Sequence, residues 1–364
     1  MGKWRGLAKW VLLAAVSVGA TVPLTALGVP SAGLFAALVV GIVLALANLA
    51  PAAVPRKVGI AAQGVLGVYI GTMVSRDAVS ALGPHWPMVL GVAVATLLIS
   101  VMFGTLLGLR RDLTGLTGSL AMVAGGASGL VAIARELGAD DRVVAVVQYL
   151  RVALVTASMP IAVTVIYRAD RTHHAALADQ SSSAPWYLSV LALVGLVLAG
   201  ATAGKLVRLP GAGLLGPLAL TVALQLSGVS FAVTVPAVLV QVGYLVIGWQ
   251  AGVAFTRDSL RAVGRTLPAA LVLIVVLTVT TAGLGVLLAR FAGLTPLEGY
   301  LATSPGGVYA VLATAVETGS NVTFIIAAQV VRILLMLFAA PLLAKAIVRI
   351  GDRVRAPRAA LVDG

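Results

Sequence analysis

The stretch Leu120–Pro160 reads LAMVAGGASGLVAIARELGADDRVVAVVQYLRVALVTASMP, and a second version of it returns 181 residues later as Leu301–Pro341, LATSPGGVYAVLATAVETGSNVTFIIAAQVVRILLMLFAAP. The two align without a gap. Gly125 and Gly126 fall on Gly306 and Gly307, Glu136 on Glu317, Gly138 on Gly319, Gln148 on Gln329, Arg151 on Arg332 and Pro160 on Pro341. The register continues upstream, where Gly67 and Gly71 match Gly248 and Gly252, and Arg76-Asp77 matches Arg257-Asp258. The chain is therefore a duplication, and each copy places an arginine inside an apolar run. Internal repeats with charged groups at membrane depth are a construction plan of secondary transporters.

Composition fixes the surroundings of that repeat. Hydrophobic residues make up 60% of the chain and charged residues 10%, with a mean hydropathy of +1.08. A soluble domain carries about 25% charged residues. Long apolar runs recur throughout, so the expected class is an all-α polytopic membrane protein. Forty glycines and sixteen prolines suit close helix packing and interrupted helices. The absence of cysteine removes thiolate metal sites, redox motifs and disulfides, and three histidines leave little for a metal centre. No cofactor is expected. The net charge of +13 reads as basic loops on one membrane side, since no concentrated basic face or nucleic-acid motif accompanies it. The N-terminal segment has the look of a signal peptide. Its repeat counterpart is the internal run Trp186–Gly204, so residues 10–28 are read as a retained first helix.

Apolar spans fall near 10–28, 31–49, 58–75, 87–109 and 143–167, and again near 186–204, 211–228, 237–255, 268–289 and 322–346. A first membrane repeat over 1–167 and a second over 186–348 are joined by a polar linker, 168–185, and followed by a basic tail, 349–364. Between the fourth and fifth spans of each half lies a glycine-interrupted stretch, 113–137 and 294–318. The twelve residues from Leu113 to Ala124 extend about 18 Å as helix, past the midplane of a core about 30 Å thick but not across it. That favours a re-entrant hairpin over a broken crossing helix. With hairpins each half has five crossings, the halves are inverted and both termini are cytoplasmic. Nineteen of the 25 Lys and Arg then lie inside, four outside, and Arg151 and Arg332 in the membrane. With crossing helices the same residues divide fifteen to eight. The positive-inside rule prefers the first arrangement.

The candidate binding residues follow. Gly125, Gly126 and Ser128 at the first tip, and Ser304, Gly306, Gly307 and Tyr309 at the second, combine glycine for a sharp turn with inward backbone amides at a helix start. Gln148 and Arg151 share a helix face, as do Gln329 and Arg332. A guanidinium inside an apolar run faces a cavity or a partner, and its planar fork suits carboxylate or phosphate. The competing reading is an ion pair of Arg151 with Glu136 and of Arg332 with Glu317. Glu136, Asp140, Glu317 and Asn321 stand near the hairpin mouths as coupling, ion-pair or helix-capping candidates. No Walker motif and no nucleophile–base constellation appears, so neither ATP-driven transport nor enzymatic activity is expected.

The segment GGASGLVAIARELGADDRVVAVVQYLR, with LATSPGGVYAV and the second Q-x-x-R, resembles the bacterial AbrB membrane-protein family, a duplicated permease-like family, over essentially the whole chain. Labels attached to that family include "ammonia monooxygenase" and "transcriptional regulator, AbrB", and the name carries a link to regulation of gene expression. Copper-dependent ammonia oxidation needs several histidine ligands, and His85, His173 and His174 lie in loops. The layout is also similar to two-carboxylate elevator transporters with glycine-rich hairpin tips, an analogy of fold alone. The expectation is an elevator-like secondary transporter of a small anion across the bacterial inner membrane, compatible with a homodimer through the first two spans of each half. The alternative is a membrane-embedded regulator or sensor that affects gene expression without net transport.

Overall fold

The computed structural model describes residues 2–27, 29, 31–74, 83–110, 113–124, 130, 131, 133, 134, 137–168, 186–207, 209, 211–227, 235–336, 339, 342 and 346. Every regular element among them is helical. The first half holds α1 (Gly2–Ala26), α2 (Ala32–Leu46), α3 (Arg56–Gly71), α4 (Trp86–Gly108), the short α5 (Gly115–Met122) and α6 (Asp141–Ile161), which runs on into a π turn, Ala162–Ile166. The second holds α7 (Trp186–Leu206), α8 (Ala212–Ser227), α9 (Ala237–Gly252), the short α10 (Arg257–Ala262), α11 (Leu267–Ala292), α12 (Pro296–Thr303), α13 (Val308–Glu317) and α14 (Val322–Met336). The duplication is visible in the element ends. Adding 181 to the bounds of α3 and α5 gives those of α9 and α12. The start signals repeat as well: Pro55 and Pro236 precede α3 and α9, and the Thr114 and Thr295 side chains cap α5 and α12.

Among the described residues, five helices are long and apolar enough to cross a bilayer: Gly6–Ala26, Gly83–Gly108, Asp141–Ile166, Tyr187–Leu206 and Leu267–Ala292. Their outer faces carry exposed Leu98, Leu198, Val272 and Val279, as lipid-facing helices do. The spans expected near 31–49, 58–75, 211–228 and 237–255 are shorter than anticipated. They form α2, α3, α8 and α9, of 15 or 16 residues each, about 22–24 Å of helix. The polar linker beyond Arg168 and the basic tail lie outside the described residues.

Packing divides the helices into two groups. In one, α2 packs on α9 and α8 on α3, so each half's second helix grips the other half's third; α9 meets α3, while α1 and α7 flank α2 and α8. In the other, α4 packs on α5, α11 on α12, and α4 meets α11. Duplicated glycines make both sets of crossings. A Cβ on Gly67 would stand 2.6 Å from the Leu214 carbonyl oxygen, and one on Gly248 would stand 2.5 Å from that of Leu34. Likewise a Cβ on Gly104 would meet the Gly118 oxygen at 2.7 Å, and one on Gly285 the Gly299 oxygen at 2.5 Å. Small residues of this kind let helix backbones approach where lipid offers no hydrophobic drive. Gly248→Ala should therefore cost about 1–3 kcal/mol, since its neighbours are backbone atoms that cannot swing aside. Gly283→Ala, with nothing within 4 Å, should be neutral or stabilising by up to about 1 kcal/mol. Thermal unfolding of the two purified variants beside the parent checks the pair.

Candidate functional site

Two eight-residue helices, α5 and α12, end inside the protein, and the last carbonyls of any helix lack intrahelical partners. The paired Gln and Arg of the following long helix supply them. Gln148 Nε2 donates to the carbonyl oxygens of Leu120 (2.8 Å) and Val123 (2.6 Å), and Arg151 Nη1 donates to Met122 (3.2 Å). In the second half Gln329 Nε2 donates to Leu301 (2.7 Å), and Arg332 Nη1 donates to Thr303 (3.3 Å) and to Ser304. Both glutamines are fully buried and both arginines are 3% exposed. A cation at a helix C-terminus also meets the negative end of the dipole. The Arg332 guanidinium is aimed at the carbonyls that end α12 and at Gln329 Oε1.

The acids act at other helix ends. Asp140 Oδ1 accepts from the amides of Arg142 and Val143, capping α6, and Asn321 Oδ1 accepts from Phe324 N–H at the start of α14. The Asp-to-Asn difference between the halves thus conserves an N-cap. Glu317 closes α13 and accepts the backbone N–H of Ser31, which precedes α2 in a left-handed conformation (φ 52°). This bond ties the helix after the second tip to the other half. Gly125, Gly126, Ser128 and Glu136 lie outside the described residues.

The second tip is described in full. Ser304–Gly307 is non-helical, and α13 starts at Val308. Neither Gly306 nor Gly307 has a positive φ, so the sharp-turn requirement expected of them is not what glycine serves here. They permit close approach to α6 instead. A Cβ on Gly306 would stand 3.0 Å from Val155 Cγ1, and one on Gly307 3.4 Å from Val152 Cγ1 and 3.5 Å from Thr156 Oγ1.

Tip and arginines share one cavity of about 600 Å³, with α2, α8 and α9 on one side and α6, α14 and the second tip on the other. Arg151 and Arg332 from opposite halves both line it, with Gly306, Gly307, Tyr309 and, at the first tip, Ala124. Gln148, Gln329 and Ser304 are not on its wall; they stand behind it. Tyr149, Val152 and Thr156 line it from α6, and Gln63 and Gln250 from α3 and α9. Sequence reading missed these five. Tyr149, Val152 and Thr156 were accessible through their helical spacing of three and four. Among the described residues, Arg151 Nε, Arg332 Nε and Thr156 Oγ1 are buried without a hydrogen-bond partner. Such groups are rare and costly in a folded interior.

A helical membrane-type protein with a duplicated, arginine-bearing central cavity is the class these features define. The chain matches the family described as Transition state regulatory protein AbrB over residues 33–348, and it belongs to that AbrB family. It is 32% identical over 341 residues to "Putative regulator AbrB" of Escherichia coli (strain K12), covering 93% of this chain and 96% of that protein. It is 28% identical over 292 residues to "Uncharacterized protein YhjN" of Bacillus subtilis (strain 168), covering 77% and 76%.

Gln148→Met keeps the side-chain length and removes the donor to Leu120 and Val123. It should cost about 1–3 kcal/mol, the penalty of leaving buried carbonyls unpaired, read as a fall in unfolding temperature with the helical circular-dichroism spectrum of the folded protein retained.

Proposed function

We propose that this chain is a secondary transporter of a small anionic metabolite in the bacterial inner membrane. The observation that carries this reading is the convergence of Arg151 and Arg332, from two repeats, on one cavity beside the second glycine tip. Guanidinium groups at such a wall offer charge-assisted hydrogen bonds to an anion. The duplicated helix order supports two repeats, and the distribution of Lys and Arg favours inverted five-span halves with α5 and α12 as the inward arms of re-entrant hairpins and both termini cytoplasmic. On this reading the group built on α2, α3, α8 and α9 is the fixed frame, and the group built on α4, α5, α11 and α12 moves against it in an elevator-like stroke. The Glu317–Ser31 bond is one of the contacts such a stroke would break. The family description and the name of the Escherichia coli relative suggest a second reading, a membrane-embedded regulator that uses the same cavity without net transport.

Uptake of a panel of labelled organic and inorganic anions into proteoliposomes separates the two. At least one should enter, and Arg151→Gln should slow its entry roughly tenfold to a hundredfold, the equivalent of losing a charged hydrogen bond of about 1.5–3 kcal/mol. An anion that binds but never crosses would support the regulator. Topology is checked through the absence of native cysteine. Ala139→Cys and Ser320→Cys, at equivalent ends of the two interrupted stretches, should label from opposite sides of intact cells with an impermeant thiol reagent. Labelling from one side only would mean parallel halves and would remove the elevator argument.

A further inference from the structure

The two walls of the cavity differ in kind. One is apolar and comes from α2, α8 and α9 with the turn that follows: Leu34, Leu38, Leu214, Leu215, Ile247 and Val253, interrupted by Gln63 and Gln250. The other carries the charge and comes from α6, α14 and the second tip, where Arg151, Arg332 and Thr156 stand among Val152 and Ile333. The two arginines, although at matched repeat positions, are not in matched states. Arg332 gives three hydrogen bonds, to Thr303 O, Ser304 O and Gln329 Oε1. Arg151 gives one, to Met122 O, among the described residues, and Gln148 Oε1, the counterpart of the Gln329 acceptor, has no partner. A guanidinium has five N–H donors. The Nε of each arginine is buried without a partner, so the difference lies in the Nη groups: Arg332 commits both of them, to the end of α12 and to Gln329, whereas Arg151 uses only Nη1 among the described residues.

Resting on the transport reading above, we infer that the cavity takes an amphipathic organic monocarboxylate, its carboxylate forked on Arg151 and its apolar body on the α2, α8 and α9 wall. Arg332 is the positioning residue that holds the tip. A carboxylate matches the planar edge of one guanidinium in two parallel hydrogen bonds. Phosphate or sulfate would face the apolar wall with strongly hydrated oxygens and no donors to replace the water lost. A body of several carbons gains from the same wall, in a volume within the range of cavities that enclose small organic ligands.

The test is equilibrium binding to the full chain in lipid nanodiscs, followed by tryptophan fluorescence. The probes are acetate, butyrate, hexanoate and octanoate below its micellar range, with octanamide, inorganic phosphate and sulfate beside them. Affinity should rise about three- to fourfold per added methylene until the wall is filled. Octanamide should bind at least tenfold more weakly than octanoate, which separates the site from partition into lipid. Arg151→Gln should weaken octanoate at least tenfold and flatten the difference from octanamide, while Arg332→Lys should lower the unfolding temperature with less effect on octanoate. The chain-length series needs no variant, so it stands even if Arg151→Gln fails to fold. Phosphate or sulfate binding more tightly than octanoate would overturn the monocarboxylate assignment and leave the anion reading intact. Binding of no anion by the wild-type chain would overturn both. Equal losses from Arg151→Gln and Arg332→Lys at unchanged stability would overturn the division of labour between the arginines.

Discussion

The carbonyl ends of α5 and α12 must be satisfied in an interior with little water, and that requirement organises the centre of this protein. A short helix can stop inside an apolar protein only if something donates to its last turn. Here that donor is a Gln-x-x-Arg pair on the next long helix. The pair fixes the depth at which each short helix stops. It also brings a cation to the cavity wall, because a guanidinium used for capping keeps donors on its other edges. The structural role and the proposed binding role, set against each other by the sequence, meet in one side chain.

The glycine crossings are the second constraint, and they explain why the halves cannot be separated. Gly67 and Gly248 bring α3 onto α8 and α9 onto α2, so the contacts within the first helix group link opposite copies. Gly104 and Gly285 bring α4 onto α5 and α11 onto α12 within a copy. The duplicated unit therefore interlocks with its partner in one region and packs on itself in the other. The cavity lies where the interlocked α2, α8 and α9 face α6 and α14.

Much of this was legible in the chain. The 181-residue offset located matched helices to the residue, and the Gln-x-x-Arg spacing picked out both arginines and the face they share. The ends of α2, α3, α8 and α9 were not legible, because apolar composition continues past the point where Asn48 or Thr72 leaves the helix. Nor was the capping role of Gln148, since the carbonyls its amide donates to come from the end of α5, 28 and 25 residues away. The role of Gly306 and Gly307 was misread for a related reason. Glycine looks the same in sequence whether it serves a positive φ or a close approach, and only the position of Val155 distinguishes them.

Gln63 and Gln250 show what a search for repeats overlooks. At the 181-residue offset Gln63 corresponds to Tyr244, and Gln250 corresponds to Tyr69. Each half therefore offers one amide and one phenol at the two positions, in opposite order. Both amides line the cavity, whereas the Tyr244 hydroxyl is buried away from any partner. The same divergence separates Arg151 from Arg332, which share a position and a cap but differ in what they have left to donate. Duplication supplies the frame twice over, because helix ends and helix crossings impose the same demands on both copies. A single asymmetric ligand imposes no such symmetry. The departures from the repeat, rather than its matches, are then where selectivity is to be sought: Arg151 over Arg332, and amides over phenols at the cavity wall.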